Sequence, residues 1–421
     1  MDIKITSFPA ENGESNLIEC FGKKKTNILI DLGFYKTYAN FIKKKLKKLA
    51  NDGGKIDLLV LSHYDADHIE GAIGFFQDLL SECFIEIGEI WVNDLLALSS
   101  IEIAADDVNI SQGVVYEFSK FIMKAYRQDS SKILNSEISS KDSITITKLL
   151  KALGYNDKVN KSFRHKIVCI DNKIEDYLTI NDEVEVKLLS PNKNNLKKIL
   201  FEFLKWLEIN KEEFAFIGDN ELFEMFVANF DENMQKDIRT IIKQKNITSS
   251  INPEQVIDDI LSNGNVFIDK SISNKSSIAF YMKFHETKLM FTGDIDVESI
   301  INKSDKSVYK LDLLKVSHHG SKNNTDTLFL NTLECCNYLI CTNGSRSSKH
   351  PDIDTLVHIA QKGMCNVYMN YKINKMNISD SLMDVLIDRY KLKIFQADGE
   401  RNQILEIIFD KGELTWKAVS Y

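Results

Sequence analysis

Proline is scarce in this chain, with 4 in 421 residues beside 18 glycines. So little loop-forming material excludes long flexible linkers and low-complexity tails, and no internal repeat is visible. Long hydrophobic runs are missing too. No stretch approaches the roughly 18 to 20 apolar residues that a membrane span needs, and Met1 to Asn12 lacks the basic-then-apolar plan of a secretory signal. Cysteine is limited to 7 residues, an odd number with no Cys-x-x-Cys pair and with Cys335 and Cys336 adjacent. That argues against a disulfide framework and for free, mostly buried thiols. The expectation is a cytoplasmic protein with no membrane partner. An excess of basic charge is also lacking: the formal net charge of −8 is not that of a dedicated nucleic-acid binder, although it leaves chemistry on nucleic acid at a metal site open.

What is present is an ordinary soluble composition, 43% hydrophobic and 27% charged, in a chain long for one core. It suits one large α/β unit with insertions, or two to three domains. Residues 3–6, 16–21 and 27–31 have strand character. A lysine-rich helix is predicted over 37–50, and a strand apolar enough to be buried on both faces over 56–62. A helix from near Gly71 and a strand at 89–93 follow. Residues 183–189 alternate as a half-buried strand. A hairpin over 277–292 turns at His285-Glu286, further strands fall at 311–317 and 338–342, and a helix covers 352–362 behind Pro351. A last hairpin at 404–419 turns through Asp410-Lys411-Gly412. Between these pieces lie two polar, amphipathic helical blocks. The pattern is one α/β body with two insertions.

Histidine is rare, with 8 in all, yet two fall within His63-Tyr64-Asp65-Ala66-Asp67-His68, directly after the buried strand 56–62. A strand end followed by a loop entering a helix can bring four such side chains to one point. The plain alternative is a solvated loop with helix-capping aspartates, but a cluster this dense points to a metal site. Three further strand ends carry similar groups. Phe291-Thr292-Gly293-Asp294 presents a carboxylate, which can bridge two cations. Val316-Ser317-His318-His319-Gly320-Ser321 presents adjacent histidines, of which one is expected to face the metal. Asn343-Gly344-Ser345-Arg346 with His350-Pro351 follows the last.

With these motifs the sequence resembles the metallo-β-lactamase superfamily, whose His-x-His-x-Asp-His signature appears here as His-x-Asp-x-Asp-His. It is most similar to the ComEC-type branch, named for the hydrolase-like domain of a bacterial DNA-uptake channel. Asn12-Gly13-Glu14-Ser15, Asp31-Leu32-Gly33, Leu188-Leu189-Ser190-Pro191 and Ser276-Ser277-Ile278 are further marks, in the family's order along the chain. The resemblance covers roughly residues 1–95, 180–192 and 274–375. It departs at Glu14, where the branch usually has Asp, and at Asp65, which replaces the superfamily's second histidine. No counterpart is found for the histidine that many members place before the Gly-Asp motif; His165, beside an insertion, is read as structural.

The resemblance implies an αββα sandwich with its metals at one edge. Residues 1–94 would be the first half of the fold, 95–175 a helical insertion, 176–192 a core strand, 193–272 a second helical insertion and 273–421 the second half. His63 and Asp65 would hold one divalent ion, Mn or Zn; Asp67, His68 and His318 a second; and Asp294 would bridge them. Asp67 and Asp294 would be the catalytic carboxylates, with Asp31 and His319 behind the ligands. Ser321, Asn323, Asn324, Arg346 and His350 would face substrate, although Ser and Asn at a turn serve equally as caps. The leading activity is phosphodiester hydrolysis on DNA or RNA, in bacterial defence or DNA processing. A lactone, thioester or β-lactam hydrolase and a non-catalytic binding module are the alternatives. Lys43, Lys44, Lys45, Lys47 and Lys48 could bind a phosphate backbone or form a solvated helix face. The helical blocks would cover the site or bind a partner protein.

Overall fold

A computed structural model of the chain describes residues 1–101, 146–210, 252–263, 269, 271–296, 300, 309–325, 327–345, 350–373 and 378–421. Its strands are β1 (Ile3–Ser7), β2 (Asn16–Phe21), β3 (Lys25–Ile30), β4 (Ile56–Val60), β5 (Ile87–Trp91), β6 (Leu178–Ile180), β7 (Val184–Ser190) and β8 (Ala279–Phe284). They continue with β9 (Thr287–Phe291), β10 (Leu313–Lys315), β11 (Asn337–Ile340), β12 (Asn366–Met369), β13 (Lys393–Gln396), β14 (Gln403–Asp410) and β15 (Glu413–Ser420). One sheet runs β15-β14-β1-β2-β3-β4-β5 and the other β13-β12-β11-β10-β9-β8-β7-β6.

Each sheet is antiparallel on one side and parallel on the other. In the first, β3, β4 and β5 are parallel; in the second, β9 to β13 are. Parallel strands end together, so each sheet gathers a row of strand-end loops, the place where α/β proteins build their sites.

Strand alternation explains the layers. In β3 and β4, Ile28, Ile30, Leu58 and Val60 face the other sheet, meeting Leu188, Phe280, Phe291 and Leu339. Leu29, Leu59 and Leu61 face outward against Leu46, Phe75 and Phe76 of covering helices. The second sheet repeats the plan, with Met290, Leu314 and Tyr338 packed against Ile257, Leu356 and Leu386. Apolar residues on both faces of the central strands therefore require a helical layer on each side. The result is a four-layer αββα sandwich.

The differences from the sequence reading are local. The helix expected near Gly71 begins at Ala66, so Asp67 and His68 belong to its first turn rather than to a loop; their polar character hid the helix start. Gly71 instead allows close packing, since a Cβ there would lie 2.3 Å from Leu32 O. Strands β12 and β13 and the helix Asp380–Tyr390 were too short or too weakly patterned to find. In the first helical block, 102–145 lie outside the described residues; Ile146–Ala152 is helical, but three short 3-10 turns occupy parts of 155–172. In the second, Lys193–Asn210 and Pro253–Asn263 are helices, and 211–251 lie outside the described residues. Among the described residues, no helix is long and apolar enough to cross a membrane.

Candidate metal centre

Asp31 follows β3 in a left-handed conformation, φ 53°, and its side chain meets Ser62, just past the end of β4. Its Oδ1 accepts from Ser62 N at 2.7 Å and its Oδ2 from Ser62 Oγ at 2.6 Å. Oδ2 also accepts from His68 Nδ1 at 2.8 Å. His68 is thereby turned so that Nε2 faces away from Asp31. The same division recurs at His63, whose Nδ1 meets Ser62 Oγ at 3.0 Å, and at His319, whose Nδ1 donates to Cys341 O at 2.8 Å. In His318, Nδ1 donates to Asn324 Oδ1 at 2.9 Å.

The four Nε2 atoms converge. They lie around Asp294 Oδ2 at 3.8 Å (His63), 3.5 Å (His68), 3.8 Å (His318) and 3.7 Å (His319). Asp65 Oδ2 is 3.4 Å from His63 Nε2, and Asp67 Oδ2 is 3.7 Å from His319 Nε2. Two sets of possible ligand atoms each fall within 4.8 Å: His63, His68 and Asp294, and Asp67, His68 and His319. The Nε2 atoms of His63, His68 and His319 and Asp294 Oδ1 are buried without a hydrogen-bond partner. Unsatisfied buried polar atoms are rare and costly. The three imidazole nitrogens, fixed from behind and gathered around Asp294 Oδ2, fit divalent cations.

The adjacent histidines correct one expectation. Both face the centre, because His318 and His319 are themselves left-handed, φ 46° and 57°. Consecutive side chains of an extended strand would diverge; this strained turn brings two rings to one side. His319, read from the sequence as lying behind the ligands, supplies an atom of the second ligand set. His318 is the more exposed of the pair, its side chain 28% accessible.

Charge follows the geometry. Burial would lower His68, but the Asp294 and Asp31 carboxylates outweigh it and hold the imidazole well above its ordinary value. Against the same burial, Asp294 and Asp269 raise His318 to about 10. His319, dominated by burial, is held well below the ordinary range, with His68, Lys315 and His318 adding to the effect. Asp294 stays ionised in spite of burial, held well down by His68, His319 and His318. It is the anionic pivot of the site.

Residues around the centre fix these groups. Ser273 Oγ donates to Asp65 Oδ1 at 2.7 Å, and Asn12 Nδ2 to Asp67 Oδ2 at 3.0 Å. Asn324, expected to face substrate, is fully buried; besides holding His318 it donates to Asp269 Oδ2 at 2.7 Å and Asp294 O at 3.0 Å. Ser321 is buried too, its Oγ accepting from Asn323 N at 3.3 Å, and Asn323 O accepts from Asp269 N at 3.1 Å. The first is a turn contact, and the second ties the turn to Asp269. His350 packs beside His318, their ring centroids 5.2 Å apart, with Nδ1 3.3 Å from Asp352 Oδ2. Arg346 lies outside the described residues. His165 is exposed on a 3-10 turn and belongs to neither set of possible ligands.

Asp269, Asn274, Ser273 and Lys315 were not singled out from the sequence. Asn265-Val266-Phe267-Ile268-Asp269 carries the same signal as Phe291 to Asp294, an apolar run ending in Asp. Lys315 interrupts the apolar Leu313-Leu314-Lys315-Val316. The other two carried no distinguishing signal.

The family model of the metallo-beta-lactamase superfamily matches residues 10–78, the segment that supplies Asn12, Asp31, His63, Asp65, Asp67 and His68. No curated protein matches the chain. Among solved structures, the chain is similar to a mutant of CmlA beta-hydroxylase at 10% identity and a TM-score of 0.31, over 93% of this chain and 52% of that one. The chain thus spans about half the length of that protein. The two-sheet architecture is that of the metallo-β-lactamase fold.

Proposed function

We propose that the chain is a metal-dependent hydrolase of phosphodiester bonds, with DNA or RNA as the leading substrate and two divalent ions at the site. The observation that carries the metal reading is the convergence of four imidazole Nε2 atoms on Asp294 Oδ2, three of them buried and unpartnered. His63, Asp65, Asp67, His68, Asp294 and His319 would hold the ions, with His318 beside them. Divalent ions at such a site supply Lewis acidity to a phosphoryl oxygen and acidify water toward neutral pH. Carboxylates Asp65, Asp67 and Asp294 favour harder ions such as Mn²⁺, while the histidines suit Zn²⁺ equally well.

The chain's own contribution is orientation. Asp31 fixes the His68 ring, Ser273 holds Asp65, and Asn12 holds one oxygen of Asp67. His350 stands at the rim beside His318, where a substrate oxygen would approach. The diester preference rests on the carboxylate-rich ligand set and on the ComEC-type resemblance, which also suggests bacterial defence or DNA processing. The lysine helix is a weaker support. Lys43, Lys45 and Lys47 are paired with Asp78, Glu19 and Glu82, and Lys44 lies 4.5 Å from the Tyr421 ring centroid. Asp78 is also about three turns along its helix from His68, roughly 15 Å at 1.5 Å per residue. The solvated-face reading suits Lys43, Lys44 and Lys47 better, while Lys45 is half-buried against Glu19. We assign the two helical blocks to a cover over the site or a protein interface.

The test is elemental analysis of the purified protein, followed by assay of Mn²⁺-, Mg²⁺- and Zn²⁺-loaded forms on a chromogenic diester, single-stranded DNA and RNA. Diester cleavage abolished by chelator is expected. Cleavage of a lactone or thioester with no diester activity would favour the small-molecule hydrolase. A protein that takes up no metal would be a binding module.

A further inference from the structure

Strand β10 reads Leu-Leu-Lys, and Lys315 is fully buried. Its Nζ pairs with Glu14 Oε2, itself on a residue only 1% exposed. Replacing a buried ion pair with an apolar pair of similar volume is often neutral or stabilising, so this pair needs a reason beyond stability. Its contacts supply one. The Lys315 side chain meets the turn that carries Asp294 at two points, and its backbone carbonyl meets it at a third. Nζ donates to Gly293 O at 3.1 Å, Thr292 Oγ1 donates to Lys315 O at 2.7 Å, and Nζ lies 3.9 Å from Asp294 Oδ1. The parallel register of β9 and β10 sets Lys315 opposite Phe291, at the start of that turn. The Asp294 carboxylate is therefore divided, Oδ1 toward the ammonium and Oδ2 toward the four Nε2 atoms.

The terminal torsion of an aspartate is broad and nearly two-fold, so a partner is needed to select which oxygen faces the cations. We propose that Lys315, held by Glu14, is a positioning residue that turns Asp294 Oδ2, rather than Oδ1, toward the four imidazole Nε2 atoms, where divalent ions would be held. This rests on the dinuclear reading above. Glu14 anchors the ammonium so that it neutralises Oδ1 without displacing the cations.

The test compares wild type with Glu14→Gln/Lys315→Met, which removes both charges of the pair together, so that neither Glu14 nor Lys315 is left as a lone buried ion. The readouts are metal content per chain, second-ion affinity and the electron paramagnetic resonance of the Mn²⁺-loaded proteins. Wild type should bind two ions with an exchange-coupled spectrum. The double variant should keep the wild-type circular dichroism, bind the second ion about tenfold or more weakly, and show the uncoupled hyperfine pattern of isolated Mn²⁺. Two coupled ions at wild-type affinity in the double variant would overturn the inference alone. Fewer than two ions in wild type would overturn the dinuclear reading and this inference with it. Should the double variant not fold, Glu14→Gln decides. It should weaken the second ion at least about threefold, with Glu14→Asp restoring it; unchanged affinity in Glu14→Gln overturns the inference.

Discussion

Asp31 and His68, 37 residues apart in the chain, are both fully buried and joined by a 2.8 Å hydrogen bond from Nδ1 to Oδ2. The bond decides which nitrogen of His68 is left for a metal. Because Asp31 Oδ1 is committed to Ser62 N, Asp31→Asn would keep its carbonyl there and turn its amide toward His68. Nδ1 must then accept, which places the ring proton on Nε2, the nitrogen that should ligate. Metal affinity is expected to fall about 10- to 100-fold, read by chelator competition. Unchanged affinity would show that His68 is not a ligand.

Asp67→Asn should leave the fold intact, since the side chain lies at the site rather than in an apolar layer. Turnover of a chromogenic diester should drop by roughly two orders of magnitude or more, with a melting temperature within a few degrees of wild type. Nuclease activity equal to wild type would place the activity elsewhere or in a contaminant.

Gly13 lies against the start of the metal-motif helix. A Cβ there would sit 2.0 Å from Asp67 O, the oxygen that accepts Glu14 N at 3.1 Å. Gly13→Ala must push this loop off the helix, destabilising the protein by about 1 to 3 kcal/mol and weakening the metal bound through Asp67. Thermal melts with and without Mn²⁺ would read both effects; an unshifted melt in each condition would contradict the close packing.

Glu19 marks a separate electrostatic feature. Lys4, Lys25 and Lys45 lie within 2.6, 2.8 and 2.9 Å of its carboxylate. Against the opposing effect of burial, they lower it to about 2. A depressed carboxylate contributes stability above its unfolded value, near 4.5, and loses that contribution as pH falls toward about 2. The shift corresponds to at most about 3 kcal/mol, partly offset because burial holds Lys45 below its ordinary value. Glu19→Gln should therefore be less stable than wild type at pH 7, with the gap closing as pH falls from about 4.5 toward 2 in urea titrations. A gap independent of pH would rule this out.

The sequence alone determined an α/β body with strands buried on both faces, for which the family resemblance implied the αββα layering, and it marked the residues of one half of the candidate site. Strands with apolar residues on both faces, such as Leu58-Leu59-Val60, demand a helix layer on each side, and hydrophobic burial makes that demand local enough to read. The density of His63, Asp65, Asp67 and His68 behind such a strand was legible for the same reason. The tertiary structure decided how the halves meet. Only the folded chain shows that left-handed backbone at His318 and His319 turns both rings inward, that Asn324 holds His318 rather than facing substrate, and that Glu14 reaches Lys315 across 301 positions to flank Asp294. Those relations depend on the register between two sheets and on a few unusual dihedral angles, and neither is encoded in the periodicity of any single segment.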